Sequence, residues 1–365
     1  MGKRELLIIV AFVVVGAVAF QFTAPAATAS SSWNFADLFN SARKEMRGNP
    51  GRGSFVHTAT LKAPADLREI RIVSIAGAVQ VVGEVRDDIT YEFTVTSNGP
   101  DDAGAVAWAK ETVLEKDDLG EAIILRARYP EPGSQTATMT MRVPSRLAVR
   151  VESGRGVTIS NVASVHLEGN REDVSVTNVT GAVTGLHQDG DVTITGAQST
   201  KIRLTRAQSV ITKVRDGLIL DVRDGDAKIS ECGGAMEVDE TRAELTITGH
   251  RGTIAVRGSD GRITIQRPTE DTRVDVRRAE VELLLDRGVA ATLLTTDEPL
   301  RLLVAGTPGF VLDASTTDAK IQAADLGLTP EGTAPNARLT HTFGSGGARV
   351  TLRNTRGEII LRKGQ

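Results

Sequence analysis

Along the middle of the chain, apolar and polar positions alternate in short runs that return at a nearly constant interval. Eight octets mark it: "SGRGVTIS" from Ser153, "NREDVSVT" from Asn170, "QDGDVTIT" from Gln188, "TRAQSVIT" from Thr205, "RDGDAKIS" from Arg223, "TRAELTIT" from Thr241, "SDGRITIQ" from Ser259 and "RRAEVELL" from Arg277. They start 17 or 18 residues apart, and the column Ile159, Val176, Ile194, Ile211, Ile229, Ile247, Ile265, Leu283 is apolar throughout. Between them lies a second set of runs, including "KIRL" from Lys201, "LILDV" from Leu218, "AMEV" from Ala235, "TIAV" from Thr253 and "RVDV" from Arg273. A period of two puts alternate side chains on one face of a strand. The recurrence predicts an all-β chain: a single β-solenoid, of parallel β-helix or β-roll type, with rungs of about 18 residues and two short strands per rung. Antiparallel hairpins are the alternative, because "DG" and "RG" also make tight turns. Coiling is preferred, since a single-layer meander leaves an apolar face uncovered whereas a coil buries each strand set against the other.

The same patterning divides the chain. Residues 153–290 carry the regular repeats. Residues 55–152 read as N-terminal rungs, from "REIRIVSI" to "TMTMRVP", with an insertion, "DDAGAVAWAKETVLEKDD", whose Ala103, Val106, Ala107, Val113 and Leu114 suit a short helical cap. Residues 291–365 read as irregular C-terminal rungs. Residues 1–29, with Lys3 and Arg4, an apolar run from Leu6 to Phe20 and then Ala27-Thr28-Ala29, read as a signal peptide, or as a signal anchor if uncleaved. Residues 30–54 read as an amphipathic helix and linker. These segments imply export to the periplasm or cell surface, with anchoring at the inner membrane as the alternative, and confine membrane contact to residues 1–47.

Composition sharpens this picture without adding chemistry. Thirty-six glycines and only 4% aromatic residues suit many short strands and tight turns. A formal charge of −3 from interspersed acids and bases argues against a nucleic-acid partner. Cys232 is the one cysteine, so no intramolecular disulfide can form. It shares a column with Val162, Val179, Ala197 and Val214, the place of a small buried residue rather than a nucleophile.

Two motifs invite a catalytic or metal reading: Asp189 with Asp191, and Asp224 with Asp226, could be paired carboxylates. Asp-Gly is also ordinary turn chemistry, and the Gly-Gly-x-Gly-x-Asp pattern of calcium β-rolls is missing. The column through these motifs reads Arg171, Asp189, Arg206, Asp224, Arg242, Asp260, Arg278, basic and acidic by turns. With one rung per 18 residues, opposite charges stack about 4.8 Å apart as a structural charge ladder. With one coil per 36 residues, aspartate would stack on aspartate and favour a cation. The shorter coil is preferred because so few inward residues could not fill the longer one. His57, His166, His187, His250 and His341 are scattered without ligand spacing. No catalytic residue, metal or cofactor is therefore expected.

The stretch "MRVPSRLAVRVESGRGVTISNV", the strand-turn repeats after it, and "GSGGARVTLRNTRGEIILRK" resemble the bacterial putative-adhesin β-strand-repeat family, related to auto-transporter adhesin head domains. The resemblance spans roughly residues 60–363. It implies an exported β-solenoid and supplies no catalytic residues. The expectation is a non-enzymatic cell-envelope protein, adhesin-like or a scaffold, whose partner is an envelope protein or a glycan. A polysaccharide-active β-helix enzyme and a membrane-anchored envelope signalling component are the alternatives. Trp33 and Trp108 lie outside the regular repeats, which leaves the enzyme without a sugar-stacking platform there.

Overall fold

A computed structural model describes residues 51–130, 134–152, 154–332 and 335–364. The expected signal segment 1–29 and most of the helix and linker 30–54 lie outside the described residues. Among those described, 25 strands hydrogen-bond into one mostly parallel sheet, with a single α-helix, Asp102–Glu111 (α1).

The alternating runs become strands for the reason their pattern suggests. In Asp226–Ser230, Ala227 and Ile229 are buried while Asp226, Lys228 and Ser230 face outward. This strand pairs in parallel with Glu244–Thr248, that with Arg262–Gln266, and that with Glu280–Leu285. Each residue meets the one 18 further on, as Ile229 meets Ile247 and Ile247 meets Ile265. The intervening runs form a second parallel ladder, in which Val238 lies on Val256 and Val256 on Val274. Inward residues of both ladders join one continuous apolar cluster. Burying each such Val, Ile or Leu side chain contributes roughly 1.5–3 kcal/mol.

The ladders turn corners without breaking. One series of corner residues, Asp189, Arg206, Asp224, Arg242, Asp260 and Arg278, has left-handed backbone, with φ between 48° and 65°. A second series, Asn161, Asn178, Gly196, Lys213, Glu231, Gly249 and Arg267, does the same at the other end of the short strands. The corner amides stay in the ladder: Asp224 donates to Thr241 O at 3.0 Å, Arg242 to Ser259 O at 2.9 Å and Asp260 to Arg277 O at 3.0 Å. Asparagine, aspartate and glycine tolerate this backbone, whereas arginine there is costly and needs compensation.

Antiparallel pairs are confined to the two ends of the described chain. Gly51–Lys62 pairs with Asp88–Gly99, which pairs with Ser134–Pro144, and Val113–Asp118 pairs with Ala122–Arg128. At the other end Phe310–Thr317 pairs with Asn336–Phe343. Ladder order departs from chain order at both places. Glu69–Val73 lies between Ala148–Glu152 and Ala122–Arg128, and Ala348–Thr355 lies between Ala291–Thr296 and Phe310–Thr317.

Helix α1 packs on Gly51–Lys62 and Asp88–Gly99. Asp101 caps it by accepting from Gly104 N at 2.7 Å. The helix sits close because Gly53 has no side chain; a Cβ there would lie 2.3 Å from Val106 N. It buries Ala105 and Ala109 and ends at Glu111. Val113 and Leu114, which the sequence pattern assigned to the helix, instead begin a strand, because their backbone pairs with Arg128 and Ala127.

Candidate functional site

The charged corner column is where the sequence concentrates its chemistry. Arg206 donates from Nε and Nη2 to the two oxygens of Asp189 at 2.7 and 3.1 Å. Arg242 grips Asp224 in the same way at 2.5 and 2.9 Å, and Arg278 grips Asp260 at 2.6 and 2.9 Å. The column is thus a set of discrete two-pronged pairs. Between pairs, Arg206 near Asp224 and Arg242 near Asp260 act only through space. Arg206 holds the Asp189 carboxyl below its ordinary range, and Arg242 does so for Asp224. Asp260 is brought down to about 2 by hydrogen bonds from Arg278 and then Ser259. These carboxylates are ionised and occupied at neutral pH, the reverse of what a general acid requires.

Arg171 stands apart from the pairs. The left-handed residue at its corner is Glu172, and Arg171 faces Arg155 in the ladder. The column continues where the sequence pattern did not follow it, to Asp297, which Arg356 grips at 2.7 and 3.0 Å. Fifty-nine residues separate those two partners, a gap that hides the pair from any fixed-interval reading.

Beneath the corners runs a column, each member two residues before its corner: Asn170, His187, Leu204, Val222, Glu240, then Gly258, Val276 and Thr295, all buried except the half-buried Gly258. The end members satisfy backbone. Asn170 accepts from Gly154 N at 2.9 Å and donates to Val151 O at 3.1 Å, and Thr295 donates to Ala279 O at 2.9 Å. His187 and Glu240 differ, since neither ring nitrogen and neither carboxylate oxygen makes a hydrogen bond of good geometry among the described residues, and each has only a poorly aligned backbone neighbour, at Asp189 and Ala243. Burial pushes the Glu240 carboxyl up to about 7; the Ala243 amide offsets part of this and the Asp260 charge adds to it. Burial likewise pushes the His187 imidazole down, against the Asp189 backbone and the charges of Asp189 and Asp173. Glu240 fits because its ladder partner is Gly258: a Cβ on Gly258 would lie 2.6 Å from Oε1, and one on Gly261 2.6 Å from Oε2.

Asp191, exposed, and Asp226, half-buried, the outer members of the suspected carboxylate pairs, line one stretch of surface with Lys228. The Asp191 amide bonds to Asp173 Oδ1 at 3.1 Å. Among the described residues no group of three or more His, Cys, Asp or Glu side chains could hold a metal ion. Cys232 is buried, with its Sγ 3.3 Å from Ser230 O, and burial raises its thiol pKa. Among the other histidines, His250 lies 3.0 Å from Gly234 O, His166 bonds Thr184 at 3.0 Å, and His57 and His341 each meet a phenylalanine edge-on.

No family model matches the chain, and no curated protein matches it significantly. A solved structure described as a putative cell adhesion protein from Clostridium sporogenes ATCC 15579 is similar at 9% identity, over 85% of this chain and 100% of that one, with a TM-score of 0.21. A likeness of that degree carries no weight for fold or role.

Proposed function

We propose that this chain is a β-solenoid with rungs of about 18 residues, exported to the cell envelope, where it acts without catalysis as an adhesin-like or scaffold element holding an envelope protein or a glycan. The observation that carries the proposal is the use made of the charged motifs. Asp189, Asp224 and Asp260 are each tied by two hydrogen bonds to an arginine at the next corner of the ladder, so their oxygens are taken up in joining one corner to the next. Glu240 and His187, whose pKa values are perturbed, lie inside the core where substrate has no access. What faces outward is a repeated array, in which Thr177, Thr195, Thr212, Ser230 and Thr248 follow one another in a single column. Hydroxyls at strand spacing suit many weak polar contacts to a long partner better than one reacting group. The resemblance of the repeat segments to the putative-adhesin family supports the same reading, as do Lys3, Arg4 and Ala27-Thr28-Ala29 for export.

The test has two arms. Purified protein incubated with acidic and neutral envelope glycans should release no reducing ends, yet co-sediment with the insoluble fraction. Turnover abolished by Asp226→Asn would overturn the proposal. N-terminal sequencing of native material should begin near Ser30; Met1 or Gly2 would favour the anchored signalling alternative.

A further inference from the structure

Away from the charged corner column, the second corner series borders a groove of about 570 Å³. Lys213, Arg215 and Arg251 line it, with Gly233 and Gly234 in its floor. Arg251 pairs in parallel with Gly233 in an isolated bridge, and the Gly233 amide donates to Val214 O at 2.8 Å, which sets Arg215, Gly233 and Arg251 at three successive ladder steps. Two ladder steps put the arginine backbones about 10 Å apart, with no side chain between them. Some arginines on this surface are matched to an acid across the ladder, as Arg203 is to Asp221 at 2.7 Å. Here, among the described residues, none of the three cations has a carboxylate within ion-pair distance. Arg215 makes only a long bond, 3.4 Å, to Thr180 O. Glu231 is the one carboxylate lining the groove, which leaves a net positive lining.

Backbone hydrogen bonds tie the floor together. The Gly234 amide donates to Arg251 O at 3.0 Å, the Arg251 amide to Cys232 O at 2.7 Å, and His250 Nε2 lies 3.0 Å from Gly234 O. The gap also depends on glycine: a Cβ on Gly233 would fall 2.8 Å from Arg215 O, and Gly234, at φ 74°, would meet Asp216 O at 2.3 Å. Arg215 reaches back toward Thr180, on the side of its strand away from Gly233, but still lines the groove with Arg251 and Lys213, so three cations stand over a floor that no larger residue can occupy, a lining suited to an anion.

We propose that this groove binds an oxyanion, a carboxylate or phosphate, held by the positive lining that Arg251, Lys213 and Arg215 supply. The proposal deepens the envelope-binding reading and rests on it only for the source of the oxyanion: an acidic glycan or free phosphate. Calorimetric titration of the full chain with trigalacturonate and, separately, with inorganic phosphate distinguishes the sources. Tighter binding of the oligosaccharide assigns the site to a glycan carboxylate, and equal or tighter binding of phosphate assigns it to the free anion. Arg215→Gln with Arg251→Gln should weaken binding about tenfold or more, each single change should weaken it less, and Arg203→Gln should leave it unchanged. In the wild type the bound probe should shift the Gly233 and Gly234 amide resonances, a readout that needs no variant to fold. Failure of both probes to bind at millimolar concentration, or full affinity in the double variant, would overturn the proposal. Neither result would alter the glycan-turnover test of the non-catalytic reading.

Discussion

Glu240 is the residue at which burial and charge conflict most directly. Its folded pKa, about 7, stands above the ordinary 4.5, so the folded state holds a proton that the unfolded state gives up. The stability available below pH 4.5 is therefore lost as pH rises through about 7, by roughly 3 kcal/mol at the plateau. His187 and His250 have the opposite sign: burial lowers both pKa values, so their contribution is present above the ordinary 6.5 and lost as pH falls below it. Glu240→Gln should accordingly raise the melting temperature at pH 8 and do little at pH 5. Equal effects at both pH values would show that the carboxyl is not protonated with folding. At Arg242 the conflict is between backbone and pairing. Its φ of 51° disfavours any side chain, and its bond to Asp224 compensates. Arg242→Gly loses the pair but relieves the backbone, whereas Arg242→Ala loses the pair and keeps the strain. Thermal unfolding should rank wild type above the glycine variant and the glycine variant above the alanine one.

Elements here are defined by their neighbours 18 residues away. Asp224→Arg would set a new cation between Arg206 and Arg242, and its loss of melting temperature should be larger in low salt than in high salt, because screening weakens exposed repulsion. Adding Arg242→Asp restores the pair in reverse but meets Asp260 on one side and Arg206 on the other, so recovery should be partial. Calcium should leave the melting temperature unchanged; a calcium-dependent rise lost in Asp224→Asn would show that the column holds a cation. The column of Ile229, Ile247 and Ile265 was legible because burial enforces an apolar residue at each ladder step. The acidic corners were legible too, since Asp-Gly is turn chemistry. Left-handed arginines were not, because their stability comes from a partner one strand away. The buried column containing Glu240 was hidden because leucine, valine and glycine occupy equivalent steps, so polar and apolar residues follow no order there. The groove needed Arg215, Gly233 and Arg251 to be read as one column, which the irregular Gly233-Gly234 turn obscures.

For the described molecule, the regular ladders create a problem that their ends must solve. A parallel ladder with an apolar interior exposes both an unpaired edge and its core wherever it stops. At the C-terminal end the chain does not simply add strands in order. Phe310–Thr317 turns back on Asn336–Phe343 in antiparallel fashion, and the last strands, Ala348–Thr355 and Ile359–Lys363, then enter between segments already passed. Ala348–Thr355 thus has neighbours on both sides, Ala291–Thr296 and Phe310–Thr317, and Ile359–Lys363 pairs with both Leu300–Val304 and Ile321–Gln322. Buried Val350, Leu352, Ile359 and Leu361 fill the core at the same level. Ending the chain at Gly347 therefore removes an internal layer rather than an outer one. It frees the 291–304 edges and detaches the 310–343 hairpin in one step. The truncated protein should lose far more than its missing residues' share of strand signal by circular dichroism, and should elute as oligomers or aggregate through the freed edges. A monomer with an unchanged melting temperature would mean that the earlier hairpin closes the end unaided, leaving the inserted strands no part in capping.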